Sequence, residues 1–195
     1  MATKHSAVLT VPNALSGLRI VLVVIFCYLT LADRSFVGAF VVIAVAGITD
    51  FLDGFIARRW SQTSRLGELL DPLADRFTAL AVPLVLWIAG FVPWWLVVIL
   101  LVRDLVMAIA LIQLRSRGQL GVPVHFLGKA ATFTLLCGLP LLLFSQSTNT
   151  AALIASGLGW ALTLWGAALY WWSAWVYLGQ VRRIVGNSAQ AVAQP

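Results

Sequence analysis

Charged side chains are scarce in this sequence. Lys, Arg, Asp and Glu together make up 10% of the 195 residues, whereas hydrophobic residues make up 61%. A soluble domain carries roughly a quarter charged residues, so this composition excludes an ordinary soluble protein and predicts a chain that lies in lipid. Cysteine is equally sparse. Cys27 and Cys137 lie inside apolar runs, which favours packing roles and says little about the redox compartment.

Acidic residues are the rarer of the two charged classes. The 13 Lys and Arg outnumber the 7 Asp and Glu, for a net charge of +6. In a soluble protein this excess would suggest a nucleic-acid partner. Here the basic residues stand at the ends of apolar segments, which indicates membrane topology and attraction to anionic lipid. The lipid bilayer is therefore the expected partner, and nucleic acid is not.

Six apolar segments are long enough, with their flanking residues, to cross a hydrocarbon core of about 30 Å as helices. Short turn-like stretches separate them, and no boundary indicates a second domain. The sequence predicts an all-α integral membrane protein with six transmembrane helices over residues 1–183, followed by a disordered tail over 184–195. The predicted spans are Ala14–Leu31, Phe36–Arg58, Asp71–Ala89, Pro93–Arg115, Val124–Phe144 and Ala151–Tyr177.

The basic residues lie almost entirely on one side of this six-span map. Only Arg34 falls on the other side, next to Asp33. Because cytoplasmic loops carry an excess of Lys and Arg, both termini are predicted to face the cytoplasm, together with the second and fourth loops. The residues on the predicted cytoplasmic side are Lys4, Arg19, Arg58, Arg59, Arg65, Arg76, Arg103, Arg115, Arg117, Lys129, Arg182 and Arg183.

Five of the seven acidic residues lie between Asp50 and Asp75. Asp50 and Asp53 are spaced i,i+3, so both occupy one helix face. Asp71 and Asp75 are spaced i,i+4, with the same result. Both groups lie about 21 Å from the predicted outer ends of their helices, at 1.5 Å per residue. Two antiparallel helices would therefore bring four carboxylates together within the cytoplasmic leaflet.

Four like charges in a medium of reduced dielectric must either take up protons or bind cations. Oxygen ligands at this density favour Mg²⁺ or Mn²⁺ over zinc, since no Cys and no nearby His is available. Three other interpretations compete. They are solvated helix-end caps, a cation or proton pathway in a transport protein, and a prenyl-diphosphate enzyme that binds Mg²⁺ through Asp clusters.

The spacing of the acidic segment separates these alternatives. It reads Asp50-Phe-Leu-Asp53-Gly54-Phe-Ile-Ala57-Arg58, then eight residues, then Gly67, Asp71 and Asp75 at intervals of four. It resembles, at eight specified positions over 26 residues, the signature of the CDP-alcohol phosphatidyltransferase family. The resemblance implies a six-span enzyme of the bacterial cell membrane, a homodimer with its active site at the cytoplasmic interface. It also implies transfer of the phosphatidyl group of CDP-diacylglycerol to an alcohol, with release of CMP.

The resemblance also implies the metal site. By matching positions, two divalent cations, Mg²⁺ or Mn²⁺, would be bound by Asp50, Asp53, Asp71 and Asp75. Metals so placed can bridge the diphosphate oxygens and neutralise the charge of the leaving CMP. Asp75 is further expected to act as the general base that takes the proton of the acceptor hydroxyl.

Seven further residues are expected to contact the CDP-lipid. Small residues suit a place where the nucleotide approaches the helix closely, although helix packing would also explain them. An arginine supplies a fixed positive charge for phosphate oxygens. The stretch Val11-Pro12-Asn13-Ala14-Leu15-Ser16 with Arg19 also looks like the start of the first helix in related synthases, and helix capping explains its Asn nearly as well. The seven residues are Asn13, Ser16, Gly54, Ala57, Arg58, Ser64 and Gly67.

Cations near the cytoplasmic ends of the fourth and fifth spans suggest the acceptor. Arg103, Arg115 and Lys129 have Asp104 as their one neighbouring carboxylate, which suits a phosphate-bearing acceptor. Snorkelling anchors remain the alternative, above all for Arg115. The segments Arg103-Asp104 and Gly128-Lys129 resemble actinobacterial phosphatidylglycerophosphate and cardiolipin synthases. We expect the first activity, with glycerol 3-phosphate as acceptor. Phosphatidylglycerol as acceptor is the alternative, and cation transport a remote one.

Overall fold

The computed structural model describes the backbone of residues 11–60, 67–116, 126–147 and 150–192. Side chains are described within these ranges outside 11–13, 50–60, 67–72, 115 and 183–192. The regular structure in this part of the chain is all α-helical, which confirms the predicted class. The helices are α1 (Val11–Leu31), α2 (Phe36–Trp60), α3 (Gly67–Ile88), α4 (Trp94–Arg115), α5 (Phe126–Phe144) and α6 (Ala151–Val192).

Four of the described helices are long and apolar enough to cross a membrane. Their apolar stretches are Ala14–Leu31, Trp94–Leu114, Phe126–Phe144 and Ala151–Arg182, and α2 contains a shorter one, Phe36–Thr49. The polar second half of α2 shortens its apolar stretch, because Asp50, Asp53 and two arginines follow it in sequence. Crossing by all six helices, and the cytoplasmic location of the termini, stay predictions.

Large apolar side chains cover much of the described surface, and a few polar side chains are buried. Trp175, Leu153 and Phe126 are each more than 80% exposed, whereas Ser16 and Thr163 are fully buried. An apolar surface of this kind would be strongly unfavourable in water. In lipid it has no such penalty, and polar groups turn instead toward contacts between helices. The surface is that of a multi-pass membrane protein.

Contacts between residues divide the chain into two compact units. The first comprises Met1–Pro93 and Leu139–Ser156, and the second comprises Trp94–Gly138 and Gly157–Pro195. Helices α5 and α6 each contribute residues to both units. The sequence shows no boundary of this kind, because each unit combines segments that are far apart along the chain.

Within the first unit, α1 packs against both α2 and α3. Val23 and Phe26 of α1 are fully buried, and Ile43 of α2 is 1% exposed. The ring of Phe36 meets the ring of Phe91 edge-on, with 5.1 Å between centroids. Helix α1 is thus the shared partner of the two helices that carry the aspartates.

The C-terminal end of α3 is fixed by a Schellman motif at Gly90, whose φ is +83°. The N–H of Gly90 donates to the carbonyl of Trp87 at 2.8 Å, and the N–H of Phe91 donates to the carbonyl of Leu86 at 2.8 Å. Glycine adopts this left-handed conformation without the steric cost of a Cβ. The helix therefore stops at a defined residue.

Within the second unit, α5 and α6 approach each other closely at two glycines. A Cβ at Gly138 would lie 2.7 Å from Thr163 Oγ1 and 2.8 Å from Thr163 N. A Cβ at Gly166 would lie 3.0 Å from Leu135 Cγ. Small residues allow such close contact between helices in lipid, where dispersion forces replace the hydrophobic effect as the source of association.

Helix α6 is longer than the sequence suggests. It covers 42 residues and continues to Val192, past Tyr177, where the apolar run ends. Its backbone is helical through most of the segment 184–195 for which the sequence predicts disorder. The physical reason is that no proline interrupts the chain between residue 141 and Pro195, so each backbone N–H can continue the helical bonding pattern.

Candidate active site

The four aspartates of the predicted metal site lie on two helices of the first unit. Asp50 and Asp53 belong to α2, and Asp71 and Asp75 belong to α3. The helical backbone gives each pair the spacing of one helix face. The side chain of Asp75 is described, whereas those of Asp50, Asp53 and Asp71 lie outside the described side chains.

Asp75 forms an ion pair with Arg19, which joins α3 to α1. Arg19 Nη1 donates directly to Asp75 Oδ1. The Arg19 side chain is 3% exposed and the Asp75 side chain is 61% exposed. A guanidinium buried to this degree requires an anion close by, and Asp75 is that anion.

The sequence alone predicts no role for Arg19 in the site. Arg19 is one of the cations on the predicted cytoplasmic side, and it belongs to the stretch that resembles related synthases. Its position in the sequence could have indicated such a role, because a charged residue inside a hydrophobic span often marks a functional site. Ser16 lies one turn earlier on the same face of α1 and is also fully buried. This face of α1 points toward protein rather than lipid, as a role near the site requires.

The donor chemistry of the four aspartates fits Mg²⁺ or Mn²⁺, since both prefer carboxylate oxygens. Among the described side chains, no group of three or more His, Cys, Asp or Glu gathers into a metal-binding cluster. Of the four aspartates predicted to bind metal, only Asp75 has a described side chain. The metal site therefore stays a prediction that rests on helical spacing and donor type.

Most of the residues predicted to bind CDP-lipid can be placed on the backbone alone. Gly54, Ala57 and Arg58 belong to α2 and follow Asp53 within about one turn. Gly67 begins α3. Asn13 belongs to the first turn of α1. Ser64 lies outside the described residues.

The second unit holds a polar cluster around Arg103 of α4. Arg103 Nε donates to the carbonyl oxygen of Tyr170 at 3.3 Å, Nη1 to Asp104 Oδ1 at 3.2 Å, and Nη2 to Ser173 Oγ at 3.1 Å. The Tyr170 hydroxyl donates to Asp104 Oδ1 at 2.5 Å. Arg103, which was predicted to bind the acceptor, is therefore held by two residues of α6 and by the adjacent Asp104. Tyr170 and Ser173 were missed in sequence, because the partners lie 66 to 70 positions away.

The other two predicted acceptor-binding cations differ from Arg103. Lys129 belongs to α5 and is exposed. Arg115 is the last residue of α4, and its side chain lies outside the described ones. Of the predicted acceptor-binding cations whose side chains are described, Arg103 is anchored and Lys129 is exposed.

The family of the chain follows from a match over most of its length. A sequence model of the CDP-alcohol phosphatidyltransferase family matches residues 9–178. The chain belongs to this family. It is therefore an enzyme that transfers phosphatidyl groups from CDP-diacylglycerol, as the motif from Asp50 to Asp75 indicates.

Three relatives show how the chain compares with individual members. A Streptomyces coelicolor protein named cardiolipin synthase (CMP-forming) is 43% identical over 183 residues, covering 91% of this chain and 85% of the relative. A Rattus norvegicus protein of the same name is 42% identical over 109 residues, covering 55% of this chain and 36% of the relative. A Sodalis glossinidius protein named CDP-diacylglycerol–glycerol-3-phosphate 3-phosphatidyltransferase is 32% identical over 181 residues. The match covers 89% of this chain and 96% of the relative. Proteins named for cardiolipin synthesis and for transfer to glycerol 3-phosphate thus both occur among its relatives.

Proposed function

We propose that this enzyme transfers the phosphatidyl group of CDP-diacylglycerol to phosphatidylglycerol, forming cardiolipin and CMP. The observation that carries the proposal is the 43% identity over 91% of the chain to a protein named cardiolipin synthase (CMP-forming). The relative named for glycerol 3-phosphate is 32% identical over a similar length. The higher identity therefore supports phosphatidylglycerol, which the sequence predicts as the alternative acceptor.

In the proposed step, a hydroxyl oxygen of the acceptor's glycerol bonds to the phosphatidyl phosphorus of CDP-diacylglycerol. The bond from that phosphorus to the bridging diphosphate oxygen breaks, and CMP leaves with that oxygen. Asp75 takes the proton from the hydroxyl. The ion pair with Arg19 supports this role, since it fixes one carboxylate oxygen of Asp75 at the contact of α1 and α3.

Asp50, Asp53, Asp71 and Asp75 would hold the two divalent cations. When bound, Mg²⁺ or Mn²⁺ would neutralise charge on the diphosphate and on the leaving CMP. Gly54 and Ala57 would leave room for the cytidine nucleotide beside α2. The remaining CDP-lipid contacts would come from the other predicted residues, namely Asn13, Ser16, Arg58, Ser64 and Gly67.

The proposed setting is a bacterial cell membrane, with six crossings, cytoplasmic termini and the active site at the cytoplasmic interface. The exposed apolar surface and the inward-facing polar groups of α1 support a site within protein at the edge of the bilayer. A homodimer is proposed from the family resemblance alone.

A second candidate acceptor is glycerol 3-phosphate. The alignment that favours it covers 96% of the Sodalis glossinidius relative, so the whole fold is shared with an enzyme named for that acceptor. Both candidates carry phosphate, and Arg103, Arg115 and Lys129 would suit either one.

The test offers each acceptor separately to the purified enzyme in detergent or bicelles. CDP-diacylglycerol labelled in the phosphatidyl group is supplied with Mn²⁺ or Mg²⁺, and the lipid product and CMP are measured. Labelled cardiolipin with phosphatidylglycerol is the expected product. Phosphatidylglycerophosphate formed from glycerol 3-phosphate, without cardiolipin in the parallel reaction, would replace the first candidate by the second. No CMP release with either acceptor would contradict both.

A further inference from the structure

The contacts of Arg103 leave part of its guanidinium uncommitted. A guanidinium carries five N–H groups. Three of them are accounted for by the carbonyl of Tyr170, by Asp104 and by Ser173. Within the described contacts, one N–H on each terminal nitrogen remains, which is the number that a bidentate phosphate contact uses. The side chain is 12% exposed, so it is not fully enclosed.

Tyr170 restrains this guanidinium in two ways. Its ring lies against the guanidinium plane, with 3.6 Å between Arg103 Cζ and the ring centroid. Its hydroxyl donates to the carboxylate oxygen of Asp104 that Arg103 Nη1 also contacts. Ring, hydroxyl and carboxylate therefore form a closed set of contacts that leaves the guanidinium little freedom to rotate. Tyr170 is 9% exposed, so this set is largely shielded from solvent.

Ser173 connects Arg103 to the beginning of α5. Its Oγ accepts from Arg103 Nη2 and donates to the carbonyl of Tyr170 at 2.8 Å. A Cβ at Gly128 would lie 4.0 Å from the Cβ and Oγ of Ser173. The turn of α5 that carries Lys129 therefore lies next to the group that holds Arg103. An anchored cation and an exposed cation occur in one part of the second unit.

We infer that Tyr170, Asp104 and Ser173 are positioning residues that hold Arg103 in the orientation in which it binds the phosphate of the acceptor. The inference rests on the proposed function, and it goes further by naming the residues that set the acceptor's affinity. None of the three needs to touch the acceptor. Lys129 supplies a second positive charge from the adjacent turn of α5.

The central experiment replaces Tyr170 by Phe, which removes the hydroxyl and keeps the ring. The loss of one hydrogen bond to Asp104 loosens Arg103, so the KM for the acceptor rises roughly three- to tenfold. The KM for CDP-diacylglycerol stays unchanged. Tyr170→Leu, which also removes the ring, raises the acceptor KM further. Tyr28→Phe is the matched control, since Tyr28 is 65% exposed on α1 and should leave both KM values unchanged.

A double-mutant cycle distinguishes positioning from a general structural effect. Asp104→Asn and Tyr170→Phe each disturb the same contact, so the double variant should raise the acceptor KM little more than the stronger single variant. Additive effects, or equal rises in both KM values, would overturn the inference. If Tyr170→Phe does not fold, Ser173→Ala tests the same orientation of Arg103, and an unchanged acceptor KM in that variant overturns the inference as well.

Two further results separate this inference from the proposed function. Arg103→Lys keeps the charge and loses the planar fork, so it should raise the KM for phosphatidylglycerol, and likewise for glycerol 3-phosphate in any reaction that uses it. Normal kinetics in Arg103→Lys would overturn the inference while phosphatidyl transfer stands. A wild-type enzyme that releases CMP with neither acceptor would contradict the proposed function itself.

Discussion

The guanidinium of Arg19 meets the carboxylate of a residue 56 positions later in the chain. Sequence alone identified Asp75 through the spacing of the acidic segment, and it identified Arg19 as a charge in an apolar run. It did not join the two, because a contact between residues so distant in sequence depends on how α1 packs against α3. The residue types were thus predictable and their pairing was not.

Replacing Asp75 by Asn should strongly reduce turnover, because the amide cannot accept the hydroxyl proton. We expect kcat to fall roughly 10²- to 10⁴-fold, the range that general-base catalysis contributes. CDP-diacylglycerol binding, measured by equilibrium titration in the presence of Mn²⁺, should remain detectable. Retained full activity in this variant would show that another group takes the proton.

Replacing Arg19 by Gln should lower kcat roughly 10- to 100-fold, because the Asp75 carboxylate loses its anchor and a small displacement is costly in catalysis. Loss of a positive charge beside a carboxylate should also tighten Mn²⁺ binding, which electron paramagnetic resonance can measure. Arg182→Gln is the matched control, since Arg182 is exposed on α6. Unchanged Mn²⁺ affinity in Arg19→Gln would argue against a metal at Asp75.

At the scale of helices, apolar runs predicted several boundaries well. Leu31, Phe36, Arg115, Phe144 and Ala151 are helix ends in both the prediction and the structure. The runs could not set the ends that lie in polar sequence. Helix α6 continues 15 residues past Tyr177, and no proline interrupts that stretch. Hydropathy predicts which residues lie in lipid, whereas the end of a helix depends on where the backbone hydrogen bonding stops.

The contact between α5 and α6 should be sensitive to any added side chain at Gly138. Gly138→Val places a branched side chain against the backbone of Thr163, so the helices must separate. We expect a loss of about 1–3 kcal/mol in stability, the usual cost of overpacking. Thermal unfolding in detergent measures it. Gly157→Val is the control, since nothing lies within 4 Å of a Cβ at Gly157. Equal loss in both variants would show that helix propensity alone is responsible.

At the scale of the whole molecule, the predicted topology can be tested by labelling. After replacement of Cys27 and Cys137 by Ala, Ser35→Cys should react with a membrane-impermeant maleimide in intact cells. Ser116→Cys should react only after permeabilisation, because it follows α4 on the predicted cytoplasmic side. Labelling of both positions from outside would contradict six crossings with cytoplasmic termini.

The division into two units is the feature of the whole molecule that sequence did not reveal. The aspartates and Arg19 belong to the first unit, whereas Arg103 and Lys129 belong to the second. Composition and periodicity describe each helix separately, so they carry no information about which helices group together. The aspartates predicted to bind the metal ions thus belong to one unit, and the cations predicted to bind the acceptor belong to the other.

Helix α6 is about 63 Å long at 1.5 Å per residue, roughly twice the thickness of the hydrocarbon core. No tilt within the usual range can place all of it between the two headgroup layers. A helix of this length that crosses the bilayer must therefore extend into the aqueous phase, where anionic headgroups attract the exposed Arg182. The same helix that anchors Arg103 would thus also extend the enzyme beyond the lipid.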